Sequence, residues 1–258
     1  MSRAHLARLI PRLGKRQAEL EYGWMKRAAQ AGSSVPLDEM VSRRVASEPL
    51  QYILGTQPFG SLSIKVRSPV LIPRPETEHW TIRLAELLRP TLDPARPLSV
   101  LDIGTGTGCI PLLLCRLLPP GTIRAHGIDI SPAAVKLAEE NASLCDFSEP
   151  ASLTSPRNTF RPIQWSIRRH NFQPPLHTVT RMARQNLCGD GLDFYVEIAK
   201  FLQRTPGFLL PKTGILALEV GDGQADSVQT IFREIAQLKS EVWLDPWDKK
   251  RTVIARAE

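Results

Sequence analysis

Residues 98–145 place the tightest constraint on what this chain can fold into. An apolar run, Leu98 to Ile103, passes without a spacer into Asp102-Ile103-Gly104-Thr105-Gly106-Thr107-Gly108, and an apolar run of helical length, 109–118, starts at once. A strand-like run at 122–130 and a helix-compatible run at 132–143 continue the alternation. Strand, helix, strand, helix in this order implies parallel strands joined by helices. The fold class is therefore α/β, an open doubly wound sheet whose ligands lie outside the carboxyl ends of its strands. The alternation returns late in the chain, with helices expected at 192–202 and 224–238 and strands at 214–220, 241–244 and 252–255.

The glycine loop is built for close approach of a ligand to backbone, because Gly104, Gly106 and Gly108 permit positive φ and carry no Cβ. A nicotinamide fingerprint needs a third glycine at position 109, where the chain has Cys109. The DxGxGxG form fits S-adenosyl-L-methionine (SAM) better. That cofactor has no pyrophosphate to place on a helix N-terminus, but it has an amino-acid end that needs backbone partners and a ribose that needs a carboxylate. Asp129 ends the second strand 21 residues beyond Gly108 and can accept hydrogen bonds from both ribose hydroxyls. The competing role for Asp129, capping the helix that starts at Pro132, falls more naturally to Ser131. The candidate cofactor residues are Gly104, Thr105, Gly106, Thr107, Gly108 and Asp129.

Ahead of this region the first 18 residues carry Arg3, Arg8, Arg12, Lys15 and Arg16 and no acid, with Leu6, Ile10 and Leu13 at helical spacing. They read either as a mitochondrial targeting segment or as a basic first helix of the folded chain. Further helix-compatible stretches at 16–30 and 36–54 complete a small helical N-terminal domain, residues 1–57. A β-hairpin linker follows at 58–75, with strand-like arms at 59–66 and 68–72, and a helix is expected from Glu76 to Leu88. The remainder, 76–258, forms the sheet domain.

Composition excludes several classes. With 42% hydrophobic and 23% charged residues, disorder throughout the chain is excluded, and its longest apolar runs fall far short of the roughly 20 residues of a membrane-spanning helix. Its four cysteines show no CxxC pair and its five histidines no HxxxH or HExxH spacing, so no metal site or disulfide framework is expected. The net charge of +7 is concentrated in one place. Between residues 151 and 189 stand Arg157, Arg161, Arg168, Arg169, Arg181 and Arg184 with no Asp or Glu, so this tract contributes +6 of the net +7. Such a tract reads either as a surface for phosphates, as on ribosomal RNA, or as a solvated loop.

Three stretches together resemble the HemK/PrmC family of protein-(glutamine-N5) methyltransferases. They are Pro49-Leu50-Gln51-Tyr52-Ile53-Leu54-Gly55 with Phe59-Gly60, then Val70-Leu71-Ile72-Pro73-Arg74-Pro75-Glu76-Thr77-Glu78, then Val100 to Gly108. The second is diagnostic, since glycine loops are widespread and LIPRPETE about 25 residues earlier is not. The resemblance implies a helical N-terminal domain that engages a peptide chain release factor, a hairpin linker, and a SAM-dependent methyltransferase domain. The target it implies is the glutamine of the factor's Gly-Gly-Gln loop. Within LIPRPETE, the charged Arg74, Glu76 and Glu78 are expected to fix the linker against the cofactor domain.

The family's catalytic signature, Asn-Pro-Pro-Tyr after the fourth strand, has no match, because no Asn-Pro dipeptide occurs in the chain. A glutamine amide nitrogen is a poor nucleophile, its lone pair being delocalised into the carbonyl, so a neighbouring amide must accept its hydrogens and aim it. The stand-ins are Gln173, in Gln173-Pro174-Pro175-Leu176, and Asn171. No continuous Val/Ile/Leu run leads into them, so the anomalous tract 147–187 is expected to lack a central strand, to leave its neighbours' edges unpaired and to lower stability. The tract is either a genuine divergent segment or a stretch read in the wrong frame. Three functions stay open: a release-factor glutamine methyltransferase, monomeric and mitochondrial or else cytoplasmic; a relative that binds release factor or ribosome without methyl transfer; and a methyltransferase acting on a nucleic-acid base.

Overall fold

The computed structural model describes residues 2–147, 158–164, 178–181 and 191–256. By contacts the chain divides into two compact units, Met1–Gln57 with Lys65–Ile72, and Pro58–Ile64 with Pro73–Glu258.

The first unit is helical: α1 (Ser2–Leu13), α2 (Lys15–Gln30), α3 (Leu37–Val45) and α4 (Leu50–Leu54). Gly14, at φ 74°, turns the chain between α1 and α2. Each helix gives one stripe to a common core. Leu9 of α1, Ala18 and Met25 of α2, and Met40 and Val41 of α3 are fully buried and pack with Leu50 and Ile53 of α4. The basic first helix is thus an integral core element, and Arg8 reaches across to Asp38 and Ser42 of α3. A buried carboxylate sits inside this unit. Glu21 accepts from Arg44, at 3.1 Å from Nη2, and from Gln17 at 3.0 Å.

Strands β1 (Thr56–Phe59) and β2 (Leu62–Lys65) form a two-stranded sheet. This corrects the expected hairpin in position: its arms are 56–59 and 62–65, and the run 68–72 is turn and loop. Gly60, at φ 58°, supplies the left-handed turn position that fixes the register, while Pro69 and Pro73 lack the N–H groups a further strand would need.

In the second unit, α5 (Pro75–Leu88) precedes β3 (Leu98–Ile103), α6 (Cys109–Leu117), β4 (Ile123–Asp129), α7 (Pro132–Leu144), β5 (Thr159–Gln164) and β6 (Thr178–Arg181). Then come α8 (Asp193–Arg204), β7 (Ile215–Glu219), α9 (Ala225–Ala236), β8 (Lys239–Leu244) and β9 (Lys250–Arg256). Seven strands form one sheet in the order β5-β4-β3-β6-β7-β9-β8, parallel from β5 to β7 and antiparallel at β9 and β8. Strand order reverses between β3 and β6. The carboxyl ends of these two strands therefore flank the topological switch point, where open α/β sheets hold their ligands.

The central strand expected to be missing is present. Thr178–Arg181 lies between β3 and β7, with Val100 paired to Thr178 on one side and Ile215 on the other. A search for a continuous aliphatic run overlooks it because it has four residues, Thr-Val-Thr-Arg, whose β-branched members suit a strand without forming such a run. β3 and β7 are consequently interior strands, and the reason for expecting low stability from open edges is removed. β5 comes from the same arginine-rich tract. Asn158 fixes its start: its Oδ1 accepts from the backbone N–H groups of Thr122 and Ile123, each at 3.0 Å, and its Nδ2 donates to the carbonyls of Cys115 and Leu118, each at 2.9 Å. Four backbone groups on two other segments are satisfied by one buried amide.

Candidate active site

β3 ends in a loop that stays bound to β4. The backbone N–H groups of Gly104 and Thr105 both donate to Ile128 O, at 2.7 and 3.0 Å, and Gly108 N donates to Thr105 O at 2.8 Å. Gly104, Gly106 and Gly108 adopt φ of 73°, 56° and 78°, so the loop folds back on itself in conformations that other residues rarely hold. Thr105 and Thr107 are buried beneath it, and Asn141 of α7 donates to Thr107 O at 2.9 Å. The loop is also closed in by side chains. A Cβ at Gly108 would stand 2.8 Å from Cε1 of Phe160, and one at Gly127 would stand 2.7 Å from Oγ1 of Thr105.

Asp129 ends β4 with its carboxylate turned to this loop. Its Oδ2 accepts from Gly106 N at 3.0 Å and its Oδ1 from Ser131 N at 2.9 Å, and the residue is buried. Ser131 caps α7, accepting from Ala134 N. The six cofactor candidates are thus gathered at the carboxyl ends of two adjacent parallel strands. The two oxygens of Asp129 still have acceptor capacity, since a carboxylate offers about four lone-pair sites and two are used. Cys109, at the start of α6, is buried, and that burial pushes its thiol up to about 12, so it supplies no thiolate at neutral pH.

A second buried carboxylate stands at the carboxyl end of β7. Oε2 of Glu219 accepts from Thr77 Oγ1 at 2.8 Å and from Trp80 Nε1 at 3.0 Å, both on α5, while its backbone oxygen accepts from Tyr195 Oη at 2.9 Å. Burial pushes its pKa above the ordinary carboxylate value; the donors Trp80 and Thr77 oppose this, the charge of Glu76 adds to it, and Arg74 opposes it. The LIPRPETE stretch therefore reaches β7 through Thr77, joined by Trp80 one turn further along α5, and its charged Arg74 and Glu76 act on Glu219 at longer range. These two contacts went unread in the sequence. The available signal was a lone acid closing the apolar run Ile215 to Leu218, with Thr77 and Trp80 three residues apart on one helix face.

The side-chain amides expected to accept the substrate's hydrogens are not located by the structure, since Asn171 and Gln173 lie outside the described residues, as do Arg157, Arg168, Arg169 and Arg184. What is described is the strand that follows them. β6 ends at Arg181, paired with Ile103, so the chain arrives at the carboxyl edge of the sheet at Arg181.

Residues 96–151 match the model of a methyltransferase domain. A release factor glutamine methyltransferase of Moorella thermoacetica is 34% identical over 216 residues, spanning 79% of this chain and 72% of the relative. A mitochondrial MRF1 N(5)-glutamine methyltransferase of Saccharomyces cerevisiae is 31% identical over 248 residues, spanning 88% of this chain and 74% of its own length. Among solved structures, the N-terminal domain of human METTL16 in complex with SAH superposes with a TM-score of 0.58 at 15% identity, covering 86% of this chain and 84% of that one. A methyltransferase from Pyrococcus furiosus gives 0.56 at 13% identity, with 77% and 91% covered. At such identities the two structures bear on the fold alone.

Proposed function

The chain belongs to the release factor glutamine methyltransferase family, and from that premise we propose that it methylates a glutamine side chain of a peptide chain release factor, using SAM. The observation that carries this reading in the chain itself is the contact of Asp129 with Gly106, which joins an acid and a glycine loop at the switch point of the sheet. Bound SAM supplies an electrophilic methyl group on a sulfonium. Gly104, Gly106 and Gly108 let the loop's backbone approach the ligand without a Cβ in the way, and Asp129 offers its remaining lone pairs to the ribose hydroxyls. The substrate nitrogen needs an acceptor for its hydrogens; because β6 reaches the carboxyl edge at Arg181, this proposal seeks it first in the chain that follows Arg181, and in Gln173 or Asn171, which precede β6, only as the alternative.

The test is transfer of labelled methyl from SAM to a purified release factor, with a factor lacking the Gly-Gly-Gln glutamine as control. Transfer confined to the glutamine-bearing factor supports the proposal. A chain that binds SAM and transfers nothing to the factor sinks it. The mitochondrion is the proposed compartment, supported by the yeast relative, and fractionation of cells that express a tagged chain tests it. Among the described residues no helix is long and apolar enough to cross a membrane.

A further inference from the structure

We propose that the turn between β8 and β9 is a docking element for the protein substrate, with the indole of Trp247 as its anchor. The proposal rests on the reading that the substrate is a release factor. Its first support is position. β9 runs antiparallel to β7, with Thr252 opposite Glu219, so the residues just before β9 stand at the edge where β7 ends. That edge also carries the glycine loop and Asp129. A partner whose glutamine reaches the switch point covers on the order of 800 Å² of this surface, a disc of about 16 Å radius. β9 and β8 are three and four strands from β3, or roughly 14 to 19 Å at the usual strand spacing. The turn falls at the rim of that disc.

The second support is rigidity. Asp245 is buried, its Oδ1 accepts from Trp247 N and Lys249 N, each at 2.9 Å, and its Oδ2 accepts from Arg251 Nε at 3.3 Å. Asp245 N donates to Lys249 O at 2.8 Å, and Lys250 reaches Asp226 of α9 at 2.7 Å. On this fixed turn Trp247 is 60% exposed, and the neighbouring Leu244 is 45% exposed. A backbone already ordered beneath an exposed indole lowers the cost of ordering on binding, which suits an interface anchor.

The third support is charge, which selects the kind of partner. Lys249, Lys250 and Arg251 each face an acid, Asp222, Asp226 and Asp245 respectively, so the turn presents no surplus positive charge to a phosphate backbone. An apolar pocket on a protein fits it, and a nucleic acid does not.

The experiment is steady-state methylation of intact release factor at saturating SAM by the unaltered chain, Trp247→Ala and Trp247→Phe. Trp247→Ala is expected to raise KM for the factor about tenfold or more, to leave kcat and SAM binding unchanged, and to be partly rescued by Trp247→Phe. A short peptide carrying Gly-Gly-Gln is expected to show no difference between the variants. An unchanged KM with the intact factor overturns the proposal while the methyltransferase reading stands. A chain that binds SAM but methylates no factor overturns that reading and the docking proposal with it. A stable dimer that Trp247→Ala converts to monomer also overturns it, by assigning the indole to a second copy of the chain.

Discussion

At Gly108 two constraints coincide: a backbone at φ 78° and an aromatic ring where a Cβ would go. Gly108→Ala is expected to cost about 1 to 3 kcal/mol of stability and to abolish SAM binding, because the loop must move to relieve the contact. Thermal unfolding and SAM titration check both. Asp129→Ala removes an acceptor aimed at the same loop. Since a hydrogen bond to a charged group contributes roughly 2 kcal/mol, SAM affinity is expected to fall about thirtyfold or more, measurable by calorimetry. Gln173→Leu and Asn171→Leu test the amide role directly: loss of kcat with unchanged SAM affinity in either supports that residue, and full activity of both places the role in the chain beyond Arg181. The glycine loop between β3 and α6 was legible in sequence because the backbone itself demands glycine at fixed intervals. Thr77, Trp80 and Asn158 were not, because their partners are set by tertiary packing, and a Thr, a Trp and an Asn carry no positional signature of their own.

At the level of elements, the long amphipathic and apolar runs declared themselves: β3, α6, β4 and β7 lie where their patterns placed them, within a residue or two. Two elements escaped. The second hairpin arm was misplaced because the apolar run at 68–72 buries Val70 without strand pairing and leaves Leu71 exposed, and β6 was missed because four residues in a central position need no aliphatic run. α1 illustrates the opposite case, a sequence with two readings that packing resolves. Its arginines fit a targeting segment, yet Leu9 is fully buried among α2 and α3. Leu9→Ala is therefore expected to destabilise the helical unit by about 2 to 5 kcal/mol, seen as lost amide protection in α2 and α3. Asn158→Leu removes the side-chain partner of Cys115 O, Leu118 O and Ile123 N beside the start of β5, while Thr122 N keeps Pro119 O at 3.3 Å. At about 1 kcal/mol or more for each, thermal unfolding is expected at a midpoint lower by roughly 10 °C.

Across the whole molecule, two buried carboxylates respond to pH with opposite signs. For Glu21, burial pushes the pKa up, but hydrogen bonds from Arg44 and Gln17 and the Arg44 charge outweigh it and hold the group below its ordinary 4.5. Its contribution is present above 4.5 and is lost as pH falls through the lowered value. Glu219 is raised, so the folded state holds its proton more tightly than the unfolded chain does. Its contribution is present below 4.5 and is lost as pH rises from there through the raised value. The stability of Glu219→Gln relative to the unaltered chain is thus expected to increase as pH rises through that window, whereas the deficit of Glu21→Gln shrinks on acidification. Unfolding curves taken between pH 3.5 and 7 separate the two. Glu219 also sets a schedule for the newborn chain. Thr77 and Trp80 precede their acceptor by 142 and 139 residues, so at roughly 5 to 20 residues per second of synthesis they wait about 7 to 28 s for it. Until β7 emerges, the indole of Trp80 and the hydroxyl of Thr77 depend on water or a chaperone, and a ribosome that stalls before residue 219 leaves α5 without the acid that anchors it.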